Sequence, residues 1–209
     1  FFEEGALSPE EISRGLKSVI KQGSFVPVFA SSATLQIGLV PLLNAMINLM
    51  PSPNEAGPYK ATNKDKEVEI SSSDSGPLVA YVWKTTADPF VGKQTYFRVY
   101  SGTINSDSRV WNHEKGAEER FGTVSIPRGK ENIAVKTVHA GDIAIVPKLS
   151  ETVTGNTLGD KSTPIILPSA KYPNALYRVA VTPKTQQDSA KISTVLTRLC
   201  EEDMTLSWT

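Results

Sequence analysis

KQTYFRVYSG, residues 93–102, places Phe97 and Val99 on one side of an extended chain and Tyr96, Arg98 and Tyr100 on the other. Successive side chains of a strand point to opposite faces, so only a strand separates these two sets cleanly. Ser101-Gly102 then closes the run with a turn signal. The fold depends on whether one of these faces is open or both are covered.

The same signature recurs on either side. PLVAYVWKTT (77–86), SRVWNHEKG (108–116), ERFGTVSIPRG (119–129), NIAVKTVHAGD (132–142) and IAIVPKLSET (143–152) are short β-rich segments divided by Gly, Asp, Asn and Pro. About six such strands predict a small antiparallel barrel or sandwich from Pro77 to about residue 170.

The ends read differently, which makes the whole mainly β with α/β ends. Ser8-Pro9-Glu10-Glu11 has the residues of a capping box, and Ile12, Leu16 and Ile20 follow at helical spacing up to Gly23. Residues 25–30, FVPVFA, predict a buried strand. Residues 40–49 predict a helix with Leu39, Leu42, Leu43, Met46 and Ile47 on its core face, stopped by Pro51-Ser52-Pro53. One buried strand cannot form a sheet, so residues 1–53 read as the end of an α/β domain. Residues 54–76 are polar and predict a mobile connector or hairpin. After a second connector at 169–173, ALYRVAV (175–181) alternates like a strand, and residues 189–202 carry Ile192, Val195, Leu196 and Leu199 at helical spacing. That helix is expected to dock its apolar face on the barrel or on another copy of the chain.

Composition narrows the chemistry. The 209 residues carry no net charge, so affinity for nucleic acid needs a local patch and not a bulk field. Cys200 is the single cysteine, which excludes an internal disulfide and suits a reducing cytosol. No apolar run reaches membrane-span length and no signal-peptide pattern opens the chain. The first residue is Phe1, not Met, which suggests a start cut from something longer. His113, His139 and Cys200 are the only soft ligands and lie far apart, with no CxxC or HExxH, so no metal site is expected; the histidines read as solvated or hydrogen-bonded in turns. No G-x-S-x-G elbow is present. Asn63-Lys64-Asp65-Lys66 has Lys66 where a guanine-reading motif needs a carboxylate, and reads as a solvated charge run. Ala30-Ser31-Ser32-Ala33-Thr34 leaves a predicted strand toward an apolar helix, a place where small residues let backbone amides approach a ligand, although on spacing alone a tight strand-to-helix turn is the stronger reading.

Five stretches together resemble bacterial elongation factor G: FVPVFASSATLQIG, LLNAMINLMPSP, PLVAYVWKTTADPFVGKQTYFRVYSGTI, HAGDIAIVPKLSETVTGNTLGD and YRVAVTPKTQQDSAKISTVLTRLCEEDMTL. The resemblance runs in order over nearly the whole chain. It implies that residues 1–53 end a GTPase domain, with Ser32, Ala33 and Thr34 at the guanine. It implies that residues 54–170 are a linker and an antiparallel six-stranded translation-factor β-barrel, and that residues 171–209 begin a ferredoxin-like third domain with its first β and α. For a full-length parent it implies GTP and magnesium, ribosomal RNA of the small subunit as partner, no membrane or DNA, a cytoplasmic location, and GTP-dependent translocation of tRNA and mRNA.

Departures from the family sharpen these expectations. The chain has no G-x-x-x-x-G-K-[ST], no Asp-x-x-Gly and no true Asn-Lys-x-Asp, so by itself it is expected neither to hydrolyse GTP nor to hold a cofactor. Glu201-Glu202-Asp203-Met204-Thr205-Leu206 has Met204 where the family usually has Pro, and Gly159 stands where a cysteine is common, which leaves an elongation-factor-G-like paralogue open.

Within such a barrel Phe97 and Val99 point inward and Tyr96, Arg98 and Tyr100 outward. Aromatic rings beside a guanidinium suit base stacking, but tyrosines also serve cross-strand packing, and we read the stripe as mainly structural. Lys84, Lys93, Arg98 and Arg109 are the candidate phosphate contacts. The alternative to a GTPase fragment is a stand-alone, non-enzymatic ribosome- or RNA-binding barrel. Exposed core faces at both ends also predict self-association.

Overall fold

The computed structural model describes residues 5–88 and 92–209; Pro89, Phe90 and Val91 of the DPFVGK stretch, like Phe1, lie outside the described residues. The chain forms two compact units, Phe1–Gly57 and Pro58–Thr209.

In the first unit, α1 (Pro9–Lys21) begins with the capping box that its sequence announces. Glu11 N–H donates to Ser8 Oγ at 3.2 Å and Ser8 N–H donates to Glu11 Oε2 at 2.8 Å. The reciprocal pair satisfies two amide donors that the first turn leaves over. α2 (Leu39–Leu49) follows, entered through Gly38 at φ 76°. A Cβ there would stand 2.7 Å from the Ala30 carbonyl oxygen, so only glycine fits the turn. The predicted buried strand at 25–30 is not found: the run has no ladder among the described residues, and Val26 and Val28 are 78% and 90% exposed. A strand needs a neighbour for its backbone groups, and these residues supply none.

The second unit is built of thirteen strands and one helix among the described residues. β1 (Tyr59–Asn63) and β2 (Lys66–Ile70) form a hairpin, so the polar connector contains structure. Lys64 and Asp65, at φ 47° and 68°, form its two-residue turn, with positive φ at both central positions as the twist of a hairpin demands. The NKDK charge run is therefore a turn. β3 (Val79–Asp88), β4 (Gly92–Ser101), β5 (Ile104–Asn105), β6 (Arg109–Asn112), β7 (Ala117–Arg120), β8 (Val124–Arg128), β9 (Glu131–Val135), β10 (Thr137–Val138), β11 (Ile143–Pro147), β12 (Thr157–Gly159) and β13 (Ile165–Ile166) follow. Eight of them make one antiparallel sheet in the order β7-β6-β12-β3-β4-β11-β8-β9; β5 pairs with β10, and β13-β1-β2 form a third sheet. Eight strands stand where about six were expected. The two unforeseen ones are β7, mostly charged, and β12, three residues long, and neither is long or apolar enough to show a period of two.

The main sheet encloses a core of Ala80, Val82, Phe97, Val99, Phe121, Val124, Val146 and Leu158 among others, all essentially without exposure. Phe97 and Phe121 stack obliquely with centroids 5.4 Å apart. The outer side of β3 and β4 is covered too: Ala61, Ile70, Val79, Ile165 and Leu167 form a second core, with Tyr59, Tyr81 and Tyr100 packed against it. The small sheet is thus a cover over the barrel's outer face. Between β4 and β5, Gly102 sits at φ 75°, and a Cβ there would come 2.7 Å from Leu78 Cα.

A buried carboxylate ties the lower-numbered strands to a later loop. Glu119, 3% exposed, accepts from the amides of Ser150, Glu151 and Thr152 and from the hydroxyls of Ser150 and Thr152, at 2.8–3.3 Å. Burial alone would raise its carboxyl; the bonds from Thr152, Glu151 and Ser150 outweigh it and hold the group below its ordinary range.

Beyond the barrel, α3 (Gln186–Glu202) is capped by Thr185 and starts three residues earlier than its apolar spacing indicates. The strand expected at 175–181 has no ladder, and Leu176 is 99% exposed. The helix reaches the barrel at β3; Ile192, Leu196 and Cys200 are partly buried while Val195 and Leu199 stay about half exposed, so only part of its apolar stripe is covered.

Candidate functional site

Two sets of residues carry the functional reading, one in each unit. In the first, Ser32 and Ile37 exchange backbone bonds (Ser32 N–H to Ile37 O 2.9 Å, Ile37 N–H to Ser32 O 3.2 Å) and close a turn over residues 33–36. Ser32 Oγ accepts from Leu35 N–H at 3.3 Å and lies 3.4 Å from Thr34 Oγ1. The structure therefore brings Ser32, Ala33 and Thr34 into one fixed loop. Ala33 and Thr34 are exposed, and among the described residues their amides have no protein acceptor. Such a loop can donate to a neutral acceptor such as a base-edge carbonyl. The sequence has no phosphate-cradling glycine loop beside this turn. No group of three metal-ligating side chains occurs among the described residues.

The four candidate phosphate contacts of the second unit do not form one patch. Arg109 is on β6, two strands from the β3 that carries Lys84. Its guanidinium pairs with Glu118 at 2.6 Å on the surface. Lys93 is mostly covered and faces Glu201 at 3.9 Å. Arg98 is held between rings, 5.7 Å from the Tyr59 centroid and 5.0 Å from that of Tyr100, and donates to Tyr59 Oη at 3.3 Å. Tyr59 and Tyr100 themselves meet edge to face at 4.7 Å. Arg98 thus serves the contact between cover and barrel. Lys84 stands over the Tyr96 ring at 5.7 Å, in the open.

Sequence reasoning missed Trp83. A register shift between Val82 and Lys84 makes a bulge that turns both Trp83 and Lys84 outward opposite Tyr96, with Trp83 and Tyr96 centroids 5.6 Å apart. A bulge adds one residue without changing composition, so no signal in the strand announces it. His113 also departs from expectation. Burial pushes its imidazole below the ordinary value, and its buried Nε2 has no partner among the described residues. A Cβ on Gly159 would meet that nitrogen at 3.0 Å and the Leu78 carbonyl at 2.6 Å, so the His113 ring and the nearby backbone leave room only for glycine.

An antiparallel barrel under a three-stranded cover, followed by a strandless linker and a capped helix, can be set beside known proteins. Residues 77–161 match the family described as Elongation factor G domain 2, which places the barrel among the modules of translation elongation factors. Residues 172–209 match Elongation Factor G, domain III, in the same order. The chain is an elongation-factor-G-like segment. A crystal structure of a protein from Thermus thermophilus is similar over 99% of this chain at 28% identity and a TM-score of 0.78. The chain spans 29% of the length of that protein. No helix among the described residues is long and apolar enough to cross a membrane.

Proposed function

We propose that this chain is the middle of a ribosome-dependent translational GTPase that drives GTP-linked translocation of tRNA and mRNA in the cytoplasm. Residues 1–53 would end the nucleotide domain, residues 54–170 the linker and barrel, and residues 171–209 open the third domain. The observation that carries the reading is the order of the two domain matches, 77–161 then 172–209, behind a turn whose exposed amides suit a base edge. In the parent, GTP with magnesium supplies the phosphoryl chemistry. The residues of this chain toward it are Ser32, Ala33 and Thr34 on the base side. Lys84 is the best remaining phosphate contact for ribosomal RNA of the small subunit, because Lys93, Arg98 and Arg109 already have partners within the chain.

The test is to read the frame upstream of Phe1 and assay its full product for ribosome-stimulated GTP hydrolysis. A Gly-x-x-x-x-Gly-Lys-[Ser/Thr] with stimulated hydrolysis supports the reading. A start codon close to Phe1, or a product that does not bind ribosomes, overturns it. Within a binding product, Lys84→Glu should weaken ribosome affinity and lower its salt dependence by about one phosphate contact, and Arg109→Glu should leave both unchanged.

A further inference from the structure

The last turn of α3 meets the barrel through three polar contacts. Thr85, 1% exposed, has its hydroxyl 2.7 Å from the Glu201 carbonyl oxygen and 2.8 Å from Thr154 Oγ1. A carbonyl only accepts, so Thr85 gives its one proton to Glu201 and Thr154 must donate to Thr85. The Ala87 amide donates to the Glu202 carboxylate. The Lys93 ammonium lies 3.9 Å from the Glu201 carboxylate.

These contacts answer a specific weakness of the helix. Its final carbonyls lack amide partners and carry the negative end of the macrodipole. Glu201 and Glu202 add two carboxylates there, with Asp203 as the cap, so an undocked last turn is opposed by its own charges. Docked, a carbonyl gains the Thr85 hydroxyl, one carboxylate an amide, and the other an ammonium. Elsewhere in the segment only Ile192, Leu196, Cys200 and Thr205 are partly covered among the described residues. Residues 171–184 are exposed throughout and have no ladder, and Val195 and Leu199 are about half exposed.

We propose that Thr85, Ala87 and Lys93 form a releasable latch that fixes the direction of residues 172–209 from the barrel. A polar, charge-compensated contact suits release, since a competing charge can undo it where an apolar seal would hold. The inference goes beyond the functional reading above and does not depend on it.

Hydrogen exchange by NMR on the 209-residue chain tests it. Lys93→Glu and Thr85→Val should each speed the amides of Ala87 and of residues 199–203 by about tenfold or more, as a locally opened unit does. The Val99 amide, inside the barrel, should be unchanged and reports that the variants fold. The charge swap Lys93→Glu with Glu201→Lys should restore protection. Raising sodium chloride should speed the same amides of the wild-type chain, because screening weakens the Lys93–Glu201 pair. Unchanged exchange in both single variants, or a swap that restores nothing, overturns the latch; exchange indifferent to salt overturns its release by competing charge.

Discussion

β4 and residues 175–181 are written in the same way, apolar and polar side chains alternating along an extended chain, yet they meet opposite fates. β4 has β3 on one edge and β11 on the other, a core beneath and the β1–β2–β13 cover above. Residues 175–181 have no ladder, and Leu176 and Tyr177 are 99% and 82% exposed. Alternation decides where side chains point; burial is decided by whether another strand or sheet arrives to meet them. Residues 25–30 repeat the lesson in the first unit, with a dense apolar run and no partner.

That contrast predicts a gradient of mutational cost. Phe97→Ala should cost about 3–5 kcal/mol in the urea unfolding of the barrel, the cavity penalty of a fully enclosed ring. Glu119→Ala should cost about 3 kcal/mol, because it strands several buried donors that now share one carboxylate. The same group predicts a pH dependence. Its folded pKa lies below the ordinary 4.5, so its stabilisation is complete above that value and is lost as pH falls through the lower, folded one. The urea midpoint should drop over that acid range in the wild type and drop less in Glu119→Gln. Arg98→Leu should cost about 1–2 kcal/mol, reflecting a half-buried cation between two rings. Tyr177→Ala should change stability by no more than about 0.5 kcal/mol. If Tyr177→Ala instead approached the Phe97→Ala value, residues 175–181 would be packed in solution and the contrast would fail.

Much of the barrel was legible because its long strands alternate over enough residues to show a period. Phe97 and Val99 point inward and Tyr96, Arg98 and Tyr100 outward, as their spacing indicates. The capping box of α1 was equally plain, since its chemistry is local to four residues. What could not be read were features made by distant residues. The cover over Tyr100 needs Tyr59 from a hairpin about forty residues earlier, and the Glu119 clamp needs three consecutive residues from a later loop. The candidate site divides in the same way. The Ser32 turn is local and could be located from sequence, whereas the fate of each cation depended on which acid or ring folded beside it. Nothing in the spelling of Lys93 announces Glu201.

The turn at Gly102 puts the FRVYSG stretch in another light. Phe97 and Val99 are fixed by one core, Arg98 and Tyr100 by the rings and sheet above, and Ser101 is buried at the strand end. At Gly102 two independent constraints coincide, a positive φ and a backbone only 2.7 Å from any added Cβ. Relief of one would leave the other, so a substitution there cannot be rescued by a single compensating change. Most surface positions tolerate a single change, but a stretch clamped from above, below and end-on leaves almost no single substitution without a cost in stability.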